Sequence, residues 1–313
     1  MKIKLISFVV PVFNEEEALP IFIQAIEKLF QNQIKNYRYE IVFVNDGSTD
    51  QTQQVLNLAF ENDDSIVIVE FSRNFGKENA LFAGLSEAKG EIIIPIDVDL
   101  QDPLDILPKM IEQYENGFDV VLAKRTNRKS DSFLKRKTAE LFYQLYNKIS
   151  KVQLEPNVGD FRLMSKEVVD HILTINESQL FMKGIFSWVG YQHAIVEYTR
   201  EKRSAGETKF NGYKLMNLAI EGITSFSTIP IRVWTYIGSL VALISFLIGS
   251  KVIIEKIFFG IEVSGYASLF VAIMFLSGVQ LIGIGVLGEY IGRIYMETKK
   301  RPKYIIKKRK RHE

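Results

Sequence analysis

Residues 92–103 read IIIPIDVDLQDP, an apolar run that passes directly into Asp97, Asp99 and Asp102. Short runs rich in Ile and Val that end in polar or turn residues mark strands buried on both faces. Three more precede it: KLISFVVPVF (4–13), YEIVFVND (39–46) and SIVIVEFS (65–72). Between them EEEALPIFIQAIEKLF (15–30), TDQTQQVLNLAFEN (49–62) and KENALFAGLSEAKG (77–90) carry apolar residues at helical spacing, with Gly90 as a stop. Strand alternating with helix predicts an α/β fold, a mostly parallel sheet with helices on both faces. Ligands bind such sheets outside the carboxyl ends of the strands, where Asn14, Asp46, Arg73 and Asp97 fall.

Of the 313 residues 47% are hydrophobic, unevenly spread. Val233–Ser250 is 18 residues without a charge and Val263–Gly288 is 26, each long enough to cross about 30 Å of hydrocarbon. The N-terminal run LISFVVPVF is too short for a signal peptide and contains Pro11, so it reads as a buried strand, and the part before the spans is expected to stay where it is made. The expected domains are residues 1–212, an α/β domain; 213–230, an amphipathic helix lying on the membrane; 231–295, two transmembrane helices; and 296–313, a basic tail. An ordinary core helix is the alternative for GYKLMNLAIEGITSFST (212–228). A helix is also expected over 132–150.

The net charge of +2 hides an asymmetry: KKRPKYIIKKRKR (299–311) has nine Lys or Arg and no acid. The positive-inside rule puts both chain ends and the large domain in the cytoplasm, at the inner (plasma) membrane. The tail's expected partner is anionic headgroups, not nucleic acid. With no cysteine there are no disulfides or thiolate metal sites. GIGVLG (283–288) matches a dinucleotide fingerprint but lies inside an apolar span, so the match is chance. Gly288 and Gly292, four apart, suit close helix approach and allow a homo-oligomer.

Asp97 and Asp99 lie two apart, on one side of a strand's end, where hard oxygen donors suit Mg²⁺ or Mn²⁺. A bare D-x-D is equally a solvated turn. DGSTD (46–50) reads by itself as a turn with a helix cap at Ser48 or Thr49, and Arg73 and Lys77 as solvated loop charges. His171 and His193 have no second imidazole at ligand spacing and read as structural.

VPVFNEE, FVNDGSTD, SRNFGKENA, PIDVDLQDP and VGDFRLM occur in that order, each at a strand end or in a loop. Together they resemble the inverting nucleotide-sugar glycosyltransferases of GT-A family 2, above all the polyprenyl-phosphate hexosyltransferases, dolichol-phosphate mannose synthases and bactoprenol glucosyltransferases. The likeness covers residues 5 to about 212, and the two spans match the bacterial glucosyltransferase branch. It implies that Pro11, Phe13 and Glu15 contact the nucleotide and that Val44 and Asp46 close around base and ribose. Asp97, Val98, Asp99 and Gln101 would hold the diphosphate and its metal, with Asp97, Asp99 and Gln101 as the metal set. Lys183, Arg203 and Lys209 would close over the donor phosphates, and Arg125 and Arg136 would receive the lipid phosphate. A helix's polar face is the plain reading of those two arginines. Phe13 and Lys209 replace what is often Tyr and Arg, and Asp102 stands where mannose synthases often have His, which favours glucose over mannose.

A lipid monophosphate, with a second pKa of about 6, is already mostly dianionic at neutral pH, so no strong base is required. Asp160, in GDFR, is expected to orient the acceptor or act as a weak base. A salt bridge to Arg162 or another base is its alternative. The resemblance thus implies transfer of a hexose, glucose from UDP-glucose, to undecaprenyl phosphate. Mannosyl or aminosugar transfer to a dolichyl or undecaprenyl carrier is the alternative. A processive glycan synthase would carry Q-x-x-R-W, and neither Trp188 nor Trp234 follows an Arg. A non-catalytic lipid binder or flippase finds little in spans whose strongly polar groups are Gln280 and Glu289.

Overall fold

In the computed structural model of the protein, residues 3–126, 144, 146–148, 150, 152–178, 180–199, 227–259 and 265–312 are described. Strand β1 (Lys4–Val12) is flanked in parallel by β2 (Tyr37–Asn45) and β4 (Ile92–Pro95), and β3 (Ile66–Phe71) continues beside β2. The crossovers are α1 (Ala18–Asn32), α2 (Thr52–Asn62) and α3 (Lys77–Glu87). A short 3-10 turn and α4 (Leu107–Glu115) lead to β5 (Val120–Arg125). Then come β6 (Val158–Ser165), α5 (Lys166–Leu173), α6 (Met182–Trp188) and β7 (His193–Tyr198). With β8 (Ile306–Lys310) included, the sheet order is β7-β5-β6-β4-β1-β2-β3-β8, and β6 is antiparallel to both β4 and β5.

Both faces of the central strands are buried, which is why they read as continuous apolar runs. Ile6, Phe8 and Val10 of β1 join Ile41 and Phe43 under α1, while Val42, Val44, Val67 and Val69 pack on the other face with Ala80 and Ala83 of α3. At Gly84 a Cβ would stand 2.3 Å from Val9 Cγ1, so α3 lies closer to the sheet there than any side chain permits. That contact seats the N-terminus of α3 over the strand ends.

The basic tail reads differently in the structure. Residues Ile306–Lys310 form β8, antiparallel to β3, and 301–313 belong to the same compact unit as 1–222. Lys307 pairs with Glu70, Arg309 with Glu87 and Arg311 with Glu40. Glu40 is buried at 6% exposure and also accepts from Ser7 and the Lys89 N–H, so Arg311 balances a charge that water does not reach. Tyr304 stacks on Phe71, and His312 stacks on Phe60. These three cations are therefore occupied by carboxylates of the sheet and of α3. The composition-based reading counted the tail's charges, but their partners lie more than 200 residues away in the chain.

A second unit, residues 223–300, holds two long helices, α7 (Ile229–Phe259) and α8 (Tyr266–Thr298). Both contain stretches apolar and long enough to cross a membrane, Ile231–Lys251 and Ala272–Thr298. Gly283–Gly288 is continuous helix, which removes the dinucleotide reading. The Trp234 ring lies within 3.4 Å of the place a Gly283 Cβ would take, whereas Gly288 and Gly292 face open space, so close approach falls at Gly283. Most of 213–230 and of 132–150, including Arg136, lies outside the described residues, as do Arg203 and Lys209.

Removing Arg311 strands the Glu40 charge. Arg311→Ala is expected to destabilise the protein by roughly 3 kcal/mol, with Lys308→Ala within about 0.5 kcal/mol of wild type. Thermal denaturation in detergent measures both. Equal midpoints for the two variants would mean that the β8 ion pair contributes nothing.

Candidate active site

At the carboxyl ends of β1 and β2 the backbone is knitted by side chains. Asn14 adopts a left-handed conformation, φ 56°, which Asn tolerates better than most residues. Its N–H donates to Ser48 Oγ at 3.0 Å, and its Oδ1 accepts from the Thr49 N–H at 2.8 Å. Ser48 and Thr49 therefore serve the β1 loop and do not cap α2, which begins at Thr52. Asp46, 3% exposed, accepts from the Phe75 N–H at 2.6 Å and the Gly76 N–H at 2.9 Å, locking the loop before α3. Burial pushes its carboxyl up, and those two N–H groups oppose the rise. Gly47 passes so close to this loop that a Cβ would meet the Arg73 carbonyl carbon at 2.5 Å.

That locked loop delivers Lys77, the first residue of α3. Its ammonium lies 2.7 Å from Asp97 Oδ1, 3.0 Å from Asp97 Oδ2 and 2.9 Å from Asp160 Oδ2. Lys77 is thus no solvated loop charge but the bridge between the ends of β4 and β6. Burial works against its charge, and the two carboxylates outweigh that, holding it above the ordinary lysine range. Burial likewise would raise Asp160, but Lys77 and Lys183 hold it well below the usual carboxylate range. Asp160 pairs with Lys77 instead of Arg162, whose guanidinium donates to the Gly159 carbonyl and covers the Phe186 ring at 4.2 Å. Asp160 Oδ1 is buried without a hydrogen-bond partner.

The β4 loop is strained beside these groups. Leu100 has φ 52°, a region that costs a bulky residue about 1–3 kcal/mol. Asp99 Oδ1 accepts from the Gln101 N–H at 3.2 Å, and Gln101 Oε1 is buried with no hydrogen-bond partner. Among the described residues no three His, Cys, Asp or Glu side chains gather as a metal cage.

The structure brings Asp97, Asp160 and Lys77 together, with Lys183 close enough to act on Asp160. Pro11, Phe13 and Glu15 sit partly exposed at the end of β1 and in the loop after it. Val44, expected at the base and ribose, and Val98, expected at the diphosphate, are core side chains, 0% and 4% exposed. Arg125 reaches inward: its Nε donates to the Tyr198 hydroxyl at 3.0 Å, and Tyr198 donates to Asp102, which lies 3.7 Å from Arg125 Nη2. Sequence reasoning missed Tyr198 and Glu78. Tyr198 carries no local signal. Glu78 follows Lys77 in SRNFGKENA, and its Oε2 accepts from the Met182 N–H at 2.9 Å, fastening α6 and with it Lys183. A cavity of about 330 Å³, lined by Arg162, Lys183, Phe186 and His193 among others, adjoins this cluster.

The family model for glycosyl transferase family 2 matches residues 7–173. The chain belongs to that family. This glycosyltransferase has the mostly parallel GT-A sheet, with its candidate site at the strand ends. It is 61% identical to the bactoprenol glucosyl transferase of Shigella phage SfX over 97% of this chain and 99% of the relative. It is 60% identical to the prophage bactoprenol glucosyl transferase homolog of Escherichia coli (strain K12), over 98% and 99%. A putative glycosyltransferase of Bacillus subtilis (strain 168) is 42% identical over 98% of this chain and 92% of its own length. Among solved structures, glucosyl-3-phosphoglycerate synthase from Mycobacterium tuberculosis with Mn²⁺, UDP-glucose and phosphoglyceric acid matches 71% of this chain and 78% of its own. Its identity is 19% and its TM-score 0.46, a likeness too weak to carry any residue's role across.

Glu78 titrates unusually. Burial, then the Asp160 charge, raises its carboxyl from the ordinary 4.5 to about 7, against Met182 N–H, Lys77 and Lys183. A carboxyl raised on folding contributes stability that is full below its unfolded value and is lost as pH rises through the folded one. Glu78→Gln, which keeps the acceptor for Met182, is therefore expected to melt about 5 °C above wild type at pH 8 and with little difference at pH 4.5. A pH-independent difference would refute that ionisation.

Proposed function

We propose that the protein transfers glucose from a nucleotide-sugar, UDP-glucose, to polyprenyl phosphate, with inversion. The supporting observation is the 60–62% identity, over nearly whole chains, to relatives named bactoprenol glucosyl transferases. Topology supports a membrane setting: the chain leaves the sheet unit before two apolar helices and returns to it after them, so the sheet and the C-terminal strand lie on one side. The excess of Lys and Arg at residues 299–311 supports the cytoplasm as that side.

A divalent cation suits the β4 loop. Gln101 Oε1 is a buried oxygen without a partner, and Asp97 and Asp99 precede it in the same loop with hard donors. Asp99 and Gln101 would hold Mg²⁺ or Mn²⁺, with Asp97 beside them. When bound, the ion supplies positive charge for the departing nucleoside diphosphate.

The chain's own residues do the rest. Asp160, held ionised by Lys77 and Lys183, is a poor proton acceptor, so it acts on the phosphate acceptor indirectly, by holding ammonium groups in place beside it. The phosphate attacks as a dianion, and no strong base is needed. Lys183, on α6, is a second cation near Asp160, and Glu78 fastens the start of its helix. Arg125, held by Tyr198 and Asp102 at the end of β5, is the proposed cation for the lipid phosphate. Arg136, Arg203 and Lys209 complete the proposed phosphate contacts.

Labelled UDP-glucose with undecaprenyl phosphate and Mn²⁺ is expected to give label in the lipid extract, and UDP-N-acetylglucosamine or GDP-mannose none. Asp99→Asn should lower transfer roughly a hundredfold while the protein stays folded, and EDTA should abolish it. Undiminished turnover in EDTA removes the metal. Absence of label from lipid with UDP-glucose removes the acceptor or donor assignment.

A further inference from the structure

Lys77 occupies the place where an incoming cation would need Asp97. Both oxygens of Asp97 lie within 3.0 Å of its ammonium, which also holds Asp160 at 2.9 Å. Two carboxylates so close together repel, and a resident cation makes their proximity stable. A divalent ion entering the β4 loop meets that ammonium as a like charge next to its own ligands. One of the two must yield, and Lys77 can: its side chain is 45% exposed and hangs on a flexible four-carbon stem.

We infer that Lys77 is a positioning residue that competes with the divalent metal for Asp97, and that its ammonium passes to the donor diphosphate when metal and nucleotide arrive together. The inference rests on the metal reading above. In the empty enzyme Lys77 neutralises Asp97 and Asp160 and keeps metal affinity low. A nucleoside diphosphate offers the displaced ammonium a new anionic partner, so nucleotide and metal each tighten the other's binding. Asp160 keeps Lys183 as a nearby cation when Lys77 moves away. The loop lock at Asp46 fixes the backbone of Lys77, so the exchange is a side-chain motion at a fixed helix start.

Mn²⁺ binding to the full chain in detergent, followed by electron paramagnetic resonance with and without UDP, tests this. Lys77→Met is expected to bind Mn²⁺ at least tenfold more tightly than wild type without UDP, and to show a smaller tightening when UDP is added. Lys77→Arg, which keeps the charge, should stay near wild type. Equal or weaker Mn²⁺ affinity in Lys77→Met overturns the competition while leaving the metal reading intact. Absence of Mn²⁺ binding in wild type and Lys77→Met alike, with or without UDP, overturns both. Should Lys77→Met fail to fold, amine labelling of the wild type read by mass spectrometry replaces it. Saturating Mn²⁺ alone should raise modification of Lys77 several-fold relative to the exposed Lys35, and an unchanged ratio overturns the exchange.

Discussion

Parallel pairing of β1 between β2 and β4 is the constraint on which the rest depends. A strand buried on both faces has no room for charge along its length, so polar side chains are pushed to its ends. Because these strands run the same way, those ends coincide. Register sets Val12 opposite Asn45 and Val9 opposite Pro95, which brings the loops of Asn14, Asp46 and Asp97 to one edge of the sheet. The loop holding α3 is fastened to that edge by Asp46, and Gly84 lets α3 lie flat enough to reach it.

Charge at this edge is arranged as a short chain of partners. Asp46 takes backbone N–H groups, Lys77 joins Asp97 to Asp160, and Glu78 fastens the start of α6. Neighbouring residues 77 and 78 thus serve opposite ends of one cluster, one through charge and the other through a hydrogen bond. The same environment drives two carboxyls apart: Asp160 falls because two ammonium groups face it, and Glu78 rises because it is buried near Asp160's charge. Such separation of neighbouring carboxyls accompanies sites that need one group ionised.

At the opposite edge of the sheet, β8 covers β3 with a strand of four consecutive cations. Lys307, Lys308, Arg309 and Lys310 make the outer edge too charged to recruit another strand. The pairing also ties the end of the chain to the unit that its beginning builds. A catalytic domain cut off before the apolar helices loses this strand with them, and Glu40 loses Arg311.

The four apolar runs, the helical spacing between them and the two uncharged stretches determined the α/β sheet and the apolar pair of helices, because burial periodicity is a local property of the sequence. The ordered motifs likewise located Asp97, Asp99, Gln101 and Asp160 at strand ends. Lys77 was legible only as a charge in a loop, since its partners stand 20 and 83 residues away. The family resemblance implied ligand contacts at Val44 and Asp46, and packing under α3 makes one a core side chain and the other a loop lock. Tyr198 and Arg311 have no signal in their own neighbourhoods at all. Which cation meets which carboxylate depends on strand register and helix closeness, and those are settled by packing across the whole sheet, not by any stretch of the chain read alone.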